Sequence, residues 1–153
     1  MNKITPFLWF DDNAEEAANF YASIFKDARV LGVRRVDGRA MTVTFELDGQ
    51  RFIALNGGPH YKLSEAFSMF VNCETQEEVD ELWEKLSAGG SQGRCGWLKD
   101  KYGLSWQIIP KALTRLMSDP DPEKSKAVMQ AMLKMNKIVI EDLRRAHEGQ
   151  TAA

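Results

Sequence analysis

Residues 76–83 read QEEVDELW and repeat the pattern of residues 14–21, AEEAANFY, 62 positions earlier. Glu77 and Glu78 stand where Glu15 and Glu16 do, and Leu82 and Trp83 stand where Phe20 and Tyr21 do. Each segment follows an apolar run, ITPFLWF at residues 4–10 and AFSMFVNC at residues 66–73. Paired glutamates in a first turn suit the positive end of a helix dipole, and the apolar residues recur at helical spacing. A strand followed by an amphipathic helix, written twice, predicts a duplicated module. Such a repeat constrains architecture more than any single motif does.

In the first copy, Asp11, Asp12 and Asn13 are capping types ahead of a helix over residues 14–25, whose apolar face is Ala17, Phe20, Tyr21, Ile24 and Phe25. Three strands follow, over residues 30–36, 41–47 (MTVTFEL) and 51–55 (RFIAL), joined by the hairpin signals Asp37-Gly38 and Asp48-Gly49. Asn56-Gly57-Gly58-Pro59 then breaks the pattern as a connector. In the second copy, Glu74 and Thr75 start the helix and Gly89-Gly90 close it. A shorter run follows: CGWLKD, the turn Lys101-Tyr102-Gly103, and LSWQIIP ending at Pro110. The first unit reads β-α-β-β-β and the second a reduced version of it. Beyond them the chain turns helical. Pro120-Asp121-Pro122 opens a helix with Val128, Met129, Met132 and Leu133 on one face, and a last short helix begins near Ile140. That apolar face predicts packing on the sheet or a share in a dimer contact.

The 153 residues, 44% hydrophobic and 27% charged, suit one domain or two small modules sharing a core. A net charge of −2, with Arg34-Arg35 and Arg144-Arg145 as the basic clusters, offers no broad positive field for nucleic acid or an anionic membrane. No apolar run approaches the roughly 20 residues of a membrane span, and the N-terminus lacks the basic start and apolar stretch of a signal peptide. Cys73 and Cys95 are far apart and need not pair. The expectation is a cytoplasmic protein with reduced thiols and neither nucleic-acid nor membrane partners.

The phrases FLWFDDNAEEAANFY, ALNGGP, SEAF, EEVDELW and CGWLKDKYGLSWQIIP, with the tail AVMQAMLKM, cover nearly the whole chain. In them the chain resembles the PhnB-like branch of the vicinal oxygen chelate superfamily, often labelled 3-demethylubiquinone-9 3-methyltransferase. That superfamily includes glyoxalase I, extradiol dioxygenases and bleomycin-resistance proteins. The resemblance implies an α+β fold in which two β-α-β-β-β modules form a curled mixed sheet, with a C-terminal helical tail. The expected domain spans 1–110, with modules at about 1–57 and 66–110, and the helical extension spans 111–150, packed on the domain or dimer. The resemblance further implies a homodimer and a cup that holds a divalent metal through one ligand from the first strand and one from the last strand of each module. Those ligands are usually His and Glu, and neighbouring substrate oxygens fill the open metal positions.

Carried over one position at a time, the second module's last strand presents Gln107, and the first module's presents Ile53 or Ala54. The first-strand positions fall near Thr5 or Pro6 and near Phe67 or Ser68. None is a histidine; the two histidines, His60 and His147, stand in the connector and the tail. A neutral amide is a poor ligand for a transition metal. The expectation is therefore a small-molecule-binding protein with no metal cofactor and no assigned catalytic residue. Its pocket candidates are Thr5, Trp9, Asn56, His60, Ser68, Trp97 and Gln107. The alternative is a glyoxalase- or dioxygenase-type enzyme with a divalent metal on Gln107, His60 or Glu46. The methyltransferase label gains nothing from AGGSQGRCGW, which follows a helix and precedes a strand, the reverse of a nucleotide-binding glycine loop.

Each candidate also has a plainer reading. Gln107 pairs with backbone or faces water, while Trp106 points to the opposite face by strand alternation and belongs to the core or a dimer contact. Asn56 forms a turn, His60 sits exposed in a loop, and Trp9 packs in the core. Cys73 is a small buried hydrophobe, whereas Cys95 follows Arg94, a cation of the kind that lowers a thiol's pKa, but has no histidine with a supporting acid near it in sequence to make it a nucleophile.

Overall fold

Phe7–Phe10 forms strand β1 and Ala14–Ile24 forms helix α1 in the computed structural model, which describes residues 2–149. The strand starts three residues later than the apolar run. Pro6 has no amide proton, and its carbonyl accepts from Ile53 N at 3.1 Å. Asn13 sits at the N-cap without using its side chain; Asn56 Oδ1 instead accepts from Ala14 N at 2.8 Å. The buried stripe of α1 is Ala14, Ala17, Ala18 and Tyr21, whereas Phe20, Ile24 and Phe25 are only half buried.

Three strands follow: β2 (Ala28–Val36), β3 (Arg39–Leu47) and β4 (Gln50–Asn56). Asp37-Gly38 and Asp48-Gly49 both adopt left-handed backbone, with φ of 53° and 78° in the first pair and 48° and 81° in the second. This is the two-residue hairpin geometry whose twist matches the strands it joins. The sheet order is β1-β4-β3-β2, with β1 parallel to β4 and the other pairs antiparallel. Leu8, Phe10, Val43, Phe45, Phe52 and Ala54 are buried. Phe45 stacks on Phe52 at 5.2 Å and meets Tyr21 of α1 at 6.0 Å between ring centroids.

The second unit repeats this wiring with β5 (Ser68–Cys73), α2 (Gln76–Ser87), β6 (Ser91–Gln92), β7 (Trp97–Lys99) and β8 (Ser105–Pro110). Its order is β5-β8-β7-β6, again with first and last strands parallel. Two β-α-β-β-β modules, each a four-stranded mixed sheet, thus make the expected α+β fold. Thr75 caps α2, its Oγ1 accepting from Glu78 N at 3.2 Å. Val79, Leu82, Trp83 and Leu86 form the buried side of α2, which packs on β8. Trp106 is buried, as alternation required.

The chain then continues as α3 (Lys111–Met117), α4 (Pro122–Leu133) and α5 (Ile140–His147). Asp121 caps α4 by accepting from Glu123 N at 3.0 Å, with Pro122 at the first turn. Ile109, Leu113, Val128, Ile138 and Leu143 close a core between β8 and these helices. The segment before α5 is fastened from several sides. Cys95 N and Gly96 N donate to the Met135 and Asn136 carbonyls, each at 2.8 Å. Gln76 Nε2 donates to Ile138 O at 3.0 Å, Gln76 Oε1 accepts from Ile140 N at 2.7 Å, and Lys137 pairs with Asp80 at 2.9 Å. The two compact units divide between Ser64 and Glu65, so these helices fall in the second. Met1 and Gln150, the end residues of the expected domain and extension, lie outside the described residues. No described helix is long and apolar enough to cross a membrane.

Candidate functional site

Alternation along β8 turns Ser105, Gln107 and Ile109 to the face opposite Trp106 and Ile108. Register then fixes their neighbours: Phe70 of β5 and Trp97 of β7 both lie directly beside Gln107, so Phe70, Gln107 and Trp97 form one row across three strands. Gln107 Nε2 donates to Ser68 Oγ at 3.0 Å. The other end of the amide has no hydrogen-bond partner among the described residues. Facing the row stand Leu113, Thr114 and Met117 of α3, Ser118 after it, and Met132 of α4. With Cys95 and Ile109 they line an open concavity of about 370 Å³. No lining side chain is an acid, a base or a histidine.

Three of the seven sequence candidates therefore come together: Ser68 and Gln107 by their hydrogen bond, and Trp97 by its register with Gln107. The other four belong to the first unit. Trp9 Nε1 donates to Gly58 O at 2.9 Å, and its ring meets Tyr61 edge-on at 4.9 Å. A Cβ on Gly57 would fall 2.3 Å from that ring, so the connector lies flat on Trp9 only because residue 57 is glycine. Asn56 spends both ends of its amide on structure, accepting from Ala14 N and donating to Ala40 O at 3.0 Å. His60 is exposed, and Thr5 is half buried ahead of β1. Sequence reasoning missed Phe70, Thr114 and Met117. Cross-strand register was the available signal for Phe70; no signal placed α3.

The donor set at the inherited ligand positions does not suit a transition metal. The polar groups near the positions the resemblance assigns are the Gln107 amide and the Thr5 and Ser68 hydroxyls, and no group of three or more His, Cys, Asp or Glu comes together among the described residues. Cys73 is fully buried, and its thiol is pushed up to about 12 by burial, with Glu78 adding to the shift; it stays protonated and unreactive. Cys95 lines the concavity on strained backbone with φ of 59°. None of the shifted carboxyls is itself a lining residue. The Lys137 ammonium, then Gln76, holds Asp80 below the usual carboxylate range. The Asp121 amide, then His147 at 2.7 Å, does the same for Asp119.

The family model described as 3-demethylubiquinone-9 3-methyltransferase matches residues 2–109. Among solved structures, the PhnB protein from Bacillus cereus is 36% identical with a TM-score of 0.68, and the match covers 71% of this chain and 99% of that one. Protein PA1353 from Pseudomonas aeruginosa is 18% identical with a TM-score of 0.60, covering 72% of this chain and 98% of its own. A gene product from Arabidopsis thaliana is 16% identical with a TM-score of 0.50, covering 69% and 96%. The last two likenesses concern the fold alone. No curated protein matches the sequence.

Proposed function

Because the chain belongs to the family described as 3-demethylubiquinone-9 3-methyltransferase, in its PhnB-like branch, and carries a concavity on its second sheet, we propose that it binds a small molecule there without a metal. The observation that supports this most is the Gln107 amide. One end is held by Ser68 and the other is free, in a wall otherwise made of Phe70, Trp97 and Ile109. Small-molecule sites are mostly apolar hollows with a few placed polar groups: apolar burial supplies affinity and the polar group supplies orientation. The other end, the carbonyl oxygen Oε1, is left to accept from a ligand hydroxyl or amide N–H.

A thermal-shift screen of the full chain against neutral small molecules tests the proposal. A ligand at 100 times its Kd stabilises the folded state by about 2.7 kcal/mol, which is read as a higher Tm. Gln107→Leu removes one neutral hydrogen bond and is expected to weaken that ligand about five- to tenfold. An undiminished shift in Gln107→Leu sinks this site. Stoichiometric zinc, nickel, manganese or iron that is lost in Gln107→Ala would favour the metal-enzyme alternative. The methyl transfer named in the family description requires S-adenosylmethionine, a cationic sulfonium with a charged amino-acid end. A lining without charges gives that molecule no partner, so calorimetry is expected to detect no binding.

A further inference from the structure

We propose that the helical extension is the selective wall of this site, with Thr114 and Met117 of α3 and Met132 of α4 choosing an uncharged, flat aromatic ligand with one hydrogen-bonding group. The inference rests on the reading that the concavity binds a small molecule, and it adds which residues select and what they select.

The division between floor and wall coincides with the end of the family match. Phe70, Trp97 and Gln107 lie within residues 2–109, whereas Thr114, Met117 and Met132 lie beyond them. The match to the Bacillus cereus protein likewise takes in only 71% of this chain while covering 99% of that one. The floor thus lies inside the matched segment and the wall outside it.

The chemistry of the two sides is complementary around a ring. The floor offers two aromatic side chains, and Phe70 remains 52% exposed, an apolar surface in want of a cover. The wall offers two thioethers, which adapt their shape and make favourable contacts with aromatic rings. The free end of the Gln107 amide supplies one oriented hydrogen bond on the floor, and the Thr114 hydroxyl stands on the wall. A formal charge on the ligand would be desolvated with no counter-charge in the lining.

The wall is also fixed before any ligand arrives. Met117 and Met132 pack against the cluster of Val128, Ile138 and Leu143, and the chain after α4 is tied to Cys95 and Gly96 by backbone hydrogen bonds and to the side-chain amide of Gln76. A pre-ordered wall loses little entropy on binding and so discriminates by shape and charge.

Calorimetry on the full chain with 2-naphthol, 2-naphthalenesulfonate and the saturated alcohol 2-decalol tests this. The neutral aromatic is expected to bind about tenfold or more tighter than the sulfonate, because the anion finds no partner, and tighter than the saturated alcohol. Met117→Lys or Met132→Lys is expected to invert the first preference, and Thr114→Val to leave the charge preference intact. Met132→Leu controls for folding, and melting curves check each lysine variant. If 2-naphthol binds and Gln107→Leu weakens it while both lysine variants leave the order of the three probes unchanged, the wall inference is overturned and the ligand site survives. If none of the probes binds, the ligand class proposed here is wrong, and the small-molecule reading is decided separately by the thermal-shift screen.

Discussion

Asp100 shows how one side chain aims the site. It is only 3% exposed, and its carboxylate accepts three hydrogen bonds: Oδ1 from Tyr102 N at 2.8 Å and Leu104 N at 3.1 Å, and Oδ2 from Trp106 Nε1 at 2.8 Å. These bonds pin the turn between β7 and β8 and clamp Trp106 to the core face. Gln107 is thereby committed to the other face. Asp100→Ala strands the buried Leu104 and Trp106 donors, each worth about 1–3 kcal/mol when left without an acceptor. The expected loss is about 3 kcal/mol or more in urea unfolding at an unchanged m-value, with Asp100→Asn milder because it keeps one acceptor. A loss below about 1 kcal/mol for the alanine variant would remove the anchor role. Strand alternation alone separated Gln107 from Trp106 in the sequence. Nothing local marked Asp100 as more than the start of a turn, because its bonds depend on how the turn folds back.

Among elements, the fastening of the extension carries a pH signature. Lys137 lies before α5 and Asp80 on α2, and their pairing holds the Asp80 carboxyl below its ordinary range, with Gln76 contributing second. A carboxyl whose folded pKa is depressed adds stability that is complete above the unfolded value, about 3.9, and is lost as pH falls through the folded value. Melting temperatures of wild type and Asp80→Asn are therefore expected to differ at neutral pH and to converge on acidification below about pH 3.9. The gap should be small and should shrink with salt, since both partners are well exposed. A gap that persists unchanged at pH 2 would show that the pair is not its cause. The elements readable in the sequence were those with local signals: the repeated strand–helix pair, the Asp-Gly hairpins, and the Asp-Pro start of α4. β6 is two polar residues, Ser91–Gln92, with no apolar pattern to betray it. α3 begins directly after Pro110 without a capping side chain, so no start signal precedes it. The cap of α1 comes from Asn56, 42 residues away. Two residues of the floor, Trp97 and Gln107, were legible from alternation and Phe70 beside them was not, since it depends on the pairing of β5 with β8, whereas the wall depended on a helix with no announcing residue.

At the scale of the molecule, the question is whether the extension is an appendage or part of the second unit's fold. Ile138, fully buried, packs with Ile109 of β8, Val128 of α4 and Leu143 of α5. These four residues come from segments that the end of the family match would separate into module and tail, yet they make one apolar cluster. Removing a buried isoleucine side chain to alanine costs about 2–5 kcal/mol, the spread reflecting how far the site can collapse into the space left behind. If the cluster is one cooperative core, Ile138→Ala must weaken its contributors together, because local opening of one exposes the apolar surface of the others. Hydrogen exchange measured by mass spectrometry is expected to show faster exchange in β8, α3, α4 and α5 alike. Faster exchange confined to α4 and α5, with β8 unchanged, would make the extension a peripheral attachment. A wall that opens independently of its floor also loses the pre-ordering on which selection by shape depends, so the same measurement bears on the site. Parallel loss in β8 and the helices is the outcome consistent with a pocket whose two sides are held by one core.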